Sequence, residues 1–345
     1  MFHYCQSDNC AVEFRANTAP CGSRFRCDFK MAERPFGVFI IGESRLGKGV
    51  YDAVSREPGF KVTGVMSAPD DPIRNIAREA GIGSFGYIKR ADAQFPDTLR
   101  GLGTDLVVLA DTRATIPQPI LEAGSVGYAV QGHNSLLGEF RGQSAANWPI
   151  YLGRLRSGFS IFGVTEELDG GDVAEQIMVP IGENDTAAGY YIGKIVPRTI
   201  GATIGVARLV ADGTVVFVPQ WALPYERTKA FEGRFEKEDG RVDFRNPSGQ
   251  VHNEIRASDP TPAASAVVNG IPVDFFDSRI GEKTNAEPGT LVRIDVKLAA
   301  IATGDGLTVN LGRLRVADTV DKVPAHEFLM ANGIGVGDRF QKITV

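Results

Sequence analysis

Two side chains in this sequence have the chemistry and context to move protons: the imidazole of His133 and the carboxylate of Asp169. An imidazole titrates near neutral pH, so it can both donate and accept a proton there. His133 lies in Val130-Gln131-Gly132-His133-Asn134-Ser135-Leu136-Leu137-Gly138-Glu139-Phe140-Arg141-Gly142, among Gln131, Asn134, Ser135 and Arg141. Asp169 lies in Glu166-Glu167-Leu168-Asp169-Gly170-Gly171-Asp172. Taken singly, each has an ordinary reading. A His after a strand is more often a satisfied structural residue than a catalyst, and an Asp before a Gly pair is a turn residue. Leu136 and Leu137 read as core.

Elements of an open α/β sheet would have to position these groups. The apolar run Val126 to Val130 leads into the His133 stretch and predicts a buried strand ending at Gly132, with His133 where it stops. Ligands of such sheets collect at the carboxyl ends of the strands. Further strands are predicted over Phe36 to Gly42, Phe60 to Met66, Asp105 to Ala110 and Gly158 to Thr165, the last delivering Asp169. Ile73 to Ala80 reads as a short amphipathic helix ending at Gly81, Gly142 to Gly153 as a helix-like segment holding Pro149, and Ala188 to Leu209 as a long apolar helix. Gly42, Gly47 and Lys48 nearly open a phosphate-binding loop, but Gly49 stands where a magnesium-holding Ser or Thr is needed, and the dinucleotide spacing fails too. These glycines therefore read as a tight turn and close helix packing.

Beyond this, the mixed charges from Glu232 to Arg241 read as a solvated linker surface, and Gly249 to Ala257 as a short helix. Short strands follow: Ala264 to Val268, Val273 to Phe276, Gly289 to Ile294 and Leu307 to Leu311. Asn269-Gly270 between two of them is a hairpin signal, and Pro288-Gly289 another turn. The expected fold is a doubly wound, mostly parallel α/β sheet with a smaller, barrel-like β domain at the carboxyl end. The expected divisions are an unstructured extension over 1–30, a catalytic domain over 35–218, a linker over 219–248 and the β-rich domain over 249–345.

Composition narrows the function classes. The 345 residues carry 43% hydrophobic and 23% charged side chains, ordinary for globular domains, and no run approaches a membrane span. A net charge of -5 argues against broad binding to a nucleic-acid backbone. All four cysteines, Cys5, Cys10, Cys21 and Cys27, fall in the first 27 residues, so no disulfide framework holds the body and a cytoplasmic location is expected. Their spacing does not match a paired Cys-x-x-Cys zinc site; a small metal knuckle is the alternative to an unstructured segment.

The His133 stretch resembles the signature of the formyltransferases that use 10-formyltetrahydrofolate, Asn-x-His-Pro-Ser-Leu-Leu-Pro followed by Arg-Gly. Here it reads Gln131-x-His133-Asn134-Ser135-Leu136-Leu137-Gly138, with Arg141-Gly142 in place. The Asp169-Gly170-Gly171 segment is similar to the family's second motif, Asp-x-Gly, in the same order. Ser144 to Trp148, Gly158 to Phe162 and Leu209 to Gly213 resemble most the hydrolase domain of 10-formyltetrahydrofolate dehydrogenase. The resemblance implies catalytic roles for His133, Asp169 and Gln131, and no metal. It implies a pteridine slot at Leu109, Ala110 and Asp111 with Glu167 and Leu168, and contacts to the second substrate from Asn134, Ser135 and Arg141. Gln131 departs from the family's Asn by one methylene, which shifts the amide donor. Gly138 departs from its second Pro. The loop after Met66 is short and carries only Asp70, Asp71 and Arg74 as its main charges, which argues against tRNA as partner. Three readings follow: formyl transfer to a small amine, release of formate to water, or folate binding without catalysis.

Overall fold

The structure is a computed structural model that describes residues 34–87, 94–112, 114–223 and 233–344. The predicted extension over 1–30 with its cysteines, and Arg113, lie outside the described residues. The chain forms two compact units. The described residues of the first run to Gly142, continue as Gly158–Val179 and resume at Ile192; the second takes Gln143–Ser157, Pro180–Tyr191 and the described residues from 233 onward.

The first unit is built on β1 (Phe36–Gly42), α1 (Ser44–Arg56), β2 (Phe60–Ser67), α2 (Pro72–Glu79), β3 (Gly83–Gly86), α3 (Phe95–Gly101), β4 (Leu106–Ala110), α4 (Gln118–Leu121) and β5 (Ala129–His133). One seven-stranded sheet has the order β3-β2-β1-β4-β5 and continues with β6 (Arg156–Gly163) and β7 (Val173–Pro180). β1 pairs in parallel with β2 and β4, and β4 with β5, while β6 runs antiparallel to β5. The unbroken apolar runs of β1 and β4 are buried throughout, as a sheet covered on both faces requires. Phe39, Ile41, Val107, Leu109 and Ala129 form one core cluster with Phe95, Leu99, Ile120 and Leu121 of α3 and α4.

Local details explain where elements begin and stop. β5 starts at Ala129 rather than Val126, because Gly127 takes φ +76° in a turn closed by Gly127 N–H to Gly124 O. Asp71 caps α2 by accepting from Ile73 N–H at 3.0 Å, and also takes Ser44 N–H at 2.7 Å. The left-handed residue of the first turn is Ser44 (φ +57°), not a glycine. Gly47 is needed for close packing: a Cβ there would lie 2.9 Å from Gly42 C. The helix predicted over Ala188 to Leu209 has a π-helical turn at Tyr191–Ile195 before the long helix Val196–Ala211. Pro197, without an N–H, breaks the ordinary hydrogen-bond ladder there.

The second unit begins in sequence with α5 (Asn147–Tyr151) and α6 (Ala187–Tyr190). α5 is all that forms of the predicted helix-like segment, and Pro149 is tolerated in its first turn. Then come α8 (Ser248–Ser258; the Val196–Ala211 helix being α7), β8 (Ala264–Val268), β9 (Ile271–Lys283), β10 (Leu291–Ile294), β11 (Ala299–Ala302) and β12 (Leu307–Val316). They form an antiparallel sheet in the order β10-β11-β12-β9-β8. Asn269 and Gly270, at φ +50° and +79°, make the β8–β9 hairpin turn. The carboxyl-terminal segment closes the two edges, bridging Gln341 to Val267 and Arg339 to Thr290. Val242 and Phe244, within 219–248, are buried in this unit's core.

Asp105, just before β4, ties the amino ends of the first sheet. Its carboxylate accepts from Gly37 N–H at 2.8 Å, from two Arg34 nitrogens at 2.8 Å each and from Ser125 Oγ at 2.5 Å. Burial alone would raise its pKa, but the Arg34 fork, the Gly37 N–H and the Ser125 hydroxyl outweigh burial and hold it below the ordinary range. Asp105→Ala should therefore destabilise the fold by roughly 2 kcal/mol at pH 7, because buried donors lose their acceptor. A lowered folded pKa gives stability that is complete above about pH 4 and is lost as pH falls through the folded value. Urea unfolding should show the difference shrinking toward pH 2; an equal difference at both pH values would contradict this role.

Candidate active site

β5 places the site by alternation. Ala129, Gln131 and His133 point to one face of the sheet, Val130 and Gly132 to the other. α7 covers the second face at Gly132, where a Cβ would lie 2.7 Å from Thr199 Cγ2. The catalytic candidates thus share the face of Ala129, with Leu109 of β4 and Phe162 of β6 beside Gln131 in register. His133 is the last residue of its strand and is 7% exposed.

Both ring nitrogens of His133 have neighbours. Nε2 lies 3.0 Å from Phe140 O. A carbonyl only accepts, so Nε2 carries the hydrogen of that bond. Nδ1 lies 3.6 Å from Asp169 Oδ2, beyond direct hydrogen-bond length but within Coulombic reach. Nδ1 is therefore the nitrogen left for a reacting group, and a proton gained there would face a carboxylate.

Asp169 is 5% exposed and left-handed at φ +49°, a conformation that surrounding contacts must hold in place. Gly142 N–H donates to Asp169 Oδ2 at 2.8 Å. The buried Gln220 amide donates through Nε2 to Asp169 O at 2.7 Å and Gly171 O at 2.9 Å. Its Oε1 accepts from Arg141 Nη2 at 2.7 Å and Nε at 3.2 Å. Arg141 Nη1 also donates to Glu167 Oε1 at 2.5 Å. The Arg-Gly pair and the Asp-Gly-Gly turn, distant in sequence, are thus one hydrogen-bonded assembly.

The other candidates divide by what they touch. Ser135 is fully buried and donates to Glu139 O at 2.7 Å, while Ser160 Oγ donates to Ser135 O at 2.7 Å and accepts from Leu137 N–H at 2.9 Å. Those bonds hold the turn after His133. Asn134 is half-buried, and its Oδ1 is shielded with no partner among the described residues. The Leu109 side chain lies in the core cluster, and Ala110 O accepts from Glu43 N–H at 3.1 Å. Asp111 is left-handed (φ +60°) and accepts from Ser44 Oγ. Near it, Tyr87 donates to Glu43 Oε1 at 2.6 Å, and burial, then that carboxylate, push the phenol's pKa well up. Glu167 and Leu168 are exposed at the tip of the Asp169 turn. Among the described residues, no group of three or more His, Cys, Asp and Glu side chains could hold a metal ion, and no helix is long and apolar enough to cross a membrane.

A family model described as formyl transferase matches residues 37–192, and one described as formyl transferase, C-terminal domain, matches residues 234–333. The chain belongs to the formyl transferase family. The mitochondrial 10-formyltetrahydrofolate dehydrogenase of Mus musculus is 31% identical to it over 251 residues, 70% of this chain and 26% of that protein. The chain thus spans only 26% of that relative's length. Methionyl-tRNA formyltransferase of Geobacillus thermodenitrificans (strain NG80-2) is 25% identical over 291 residues, 80% of this chain and 88% of that one. The crystal structure of HypX from Aquifex aeolicus in complex with tetrahydrofolic acid superposes with a TM-score of 0.62 at 19% identity, covering 87% of this chain and 48% of that one, a likeness of fold.

Within this candidate site, the sequence singles out His133 and Asp169 but not Gln220, the Phe140 carbonyl or the Gly142 N–H. The main-chain groups carry no side-chain signal. Gln220 follows Pro219 at the start of an apparent linker, where a polar residue looks like surface. Gly132 has a role that spacing alone did not reveal, since it lets α7 approach the strand bearing the imidazole. Gly132→Ala should cost about 1–3 kcal/mol through overpacking against Thr199. Adding Thr199→Ser, which removes Cγ2 and keeps the hydroxyl, should recover at least half in a denaturant titration. Independent, additive losses would show that the two side chains do not collide.

Proposed function

We propose that this chain transfers the formyl group of 10-formyltetrahydrofolate to a small amine acceptor. The observation that carries the reading is the convergence of two buried groups from distant motifs, His133 Nδ1 and Asp169 Oδ2, 3.6 Å apart at the rim of the sheet. Membership of the formyl transferase family supports the substrate class.

Transfer requires the amine nitrogen to form a bond to the formyl carbon and the carbon–N10 bond to break. The amine loses a proton, N10 gains one, and negative charge builds on the formyl oxygen in between. Once a proton sits on Nδ1 beside Asp169, His133 becomes the chain's donor to that oxygen, and Gln131, on the same strand face, offers an amide N–H. Asp169 stabilises a proton on the imidazole and accepts the acceptor's proton directly or through water. The shielded, unpartnered Asn134 Oδ1 beside His133 is suited to an N–H of an incoming substrate. Leu109, Ala110, Asp111, Glu167 and Leu168 are our candidates for the folate slot, and Ser135 and Arg141 for shaping the acceptor side. The net charge of -5 favours a small acceptor over tRNA.

A second reading, hydrolysis with water as acceptor, draws support from the similarity to 10-formyltetrahydrofolate dehydrogenases and from Gln131 in place of the transferase motif's Asn. Tetrahydrofolate release followed by absorbance separates these possibilities. His133→Asn and Asp169→Asn should each lower kcat by about a hundredfold or more. A rate that depends on added amine supports transfer, whereas equal formate release without amine supports hydrolysis. Folate binding with no turnover, or turnover unchanged in both variants, would remove the catalytic assignment.

A further inference from the structure

We propose that Gln220 is a positioning residue for this chemistry, fixing the Asp169 turn and Arg141 in one register beside His133. The inference rests on the formyl-transfer reading of the site. Gln220 is 5% exposed and uses its full hydrogen-bonding capacity. Its oxygen takes two Arg141 donors and its nitrogen gives both hydrogens, to Asp169 O and Gly171 O. Arg141 only donates and the two carbonyls only accept, so the amide has one orientation.

The turn it holds has little freedom on one side. Gly171 is pressed so close to Gly163 that a Cβ would lie 1.7 Å from the Gly163 carbonyl oxygen, and Gly163 N–H donates to Asp172 O at 2.9 Å. Asp169, two residues earlier, is the strained member. Gln220 holds its carbonyl, while Gly142 N–H, next to Arg141, holds its carboxylate. One amide therefore sets both the angle from which the carboxylate meets the imidazole and the seat of the Arg-Gly pair. Loss of that amide lets the turn relax, and a displacement of about 1 Å at such a group is enough to cost up to a hundredfold in rate.

Two variants of the full chain test this. Gln220→Leu removes all four hydrogen bonds. Gln220→Glu keeps the Arg141 contact but turns an oxygen toward two carbonyls. Each should lower kcat by about ten- to a hundredfold while KM for 10-formyltetrahydrofolate stays within about threefold. In an Asp169→Asn background, Gln220→Leu should cost less than about threefold more, because residues acting through one another are not additive. Multiplying effects in that cycle, a change in KM alone, or wild-type kcat in Gln220→Glu would overturn the proposal. A chain in which neither variant folds, judged by thermal melting, would assign Gln220 to stability and overturn it as well. Wild-type protein without turnover would remove the functional reading and this inference together; turnover that needs Asp169 but not Gln220 would remove this inference alone.

Discussion

The candidate site depends on keeping a carboxylate and an imidazole buried together at the carboxyl rim of the sheet. A lone buried carboxylate is costly, because water no longer solvates it. Asp169 is supported by one main-chain N–H, from Gly142, and by the ring of His133. His133 is fixed in turn by the Phe140 carbonyl, so the two halves of the segment from His133 to Gly142 hold the two partners. That segment leaves the strand, turns on the Ser135 and Ser160 hydroxyls, and returns to meet the Asp169 turn. The proposed chemistry rests on this closed loop of contacts rather than on any one residue.

The sheet supplies the rigidity that such a loop requires. β5 is paired on both sides, in parallel with β4 and antiparallel with β6, so the imidazole at its end has little backbone freedom. α7 packs on one face of this strand at Gly132, and the α3 and α4 cluster packs on the other at Ala129. The close approach of β1 and β4 is visible in Gly42, where a Cβ would lie 2.2 Å from Ala110 O. The chain order reverses direction across these two strands, the position where ligands of open α/β sheets gather.

Much of this was legible in the residues, for identifiable reasons. β1 and β4 are continuous apolar runs bounded by glycine or polar residues, which only a doubly covered strand explains. Asn269-Gly270 encodes its turn directly, because few residue pairs take two positive φ angles cheaply. β7 gave no comparable signal: Glu175, Gln176 and the exposed Met178 interrupt its pattern on a sheet edge. The start of β5 was misplaced because Val126 and Tyr128 look like strand while Gly127 bends the chain. Residue type and motif order single out His133 and Asp169 as candidates, but the 3.6 Å between them is a product of strand pairing. The stretch from 219 to 248 looked like linker because charge dominates it, yet Gln220, Val242 and Phe244 within it are buried. Sequence patterns report average environment, and single buried residues in polar stretches escape them.

The most direct test of this geometry is the protonation pattern of the His133 ring, read by nitrogen-15 NMR of histidine-labelled protein and assigned with His133→Asn. The expected result is a hydrogen on Nε2, held by the Phe140 carbonyl, with the Nδ1 resonance responding to Asp169→Asn. A ring carrying its only hydrogen on Nδ1, or one whose Nδ1 signal is indifferent to Asp169, would contradict the arrangement from which the catalytic role is argued.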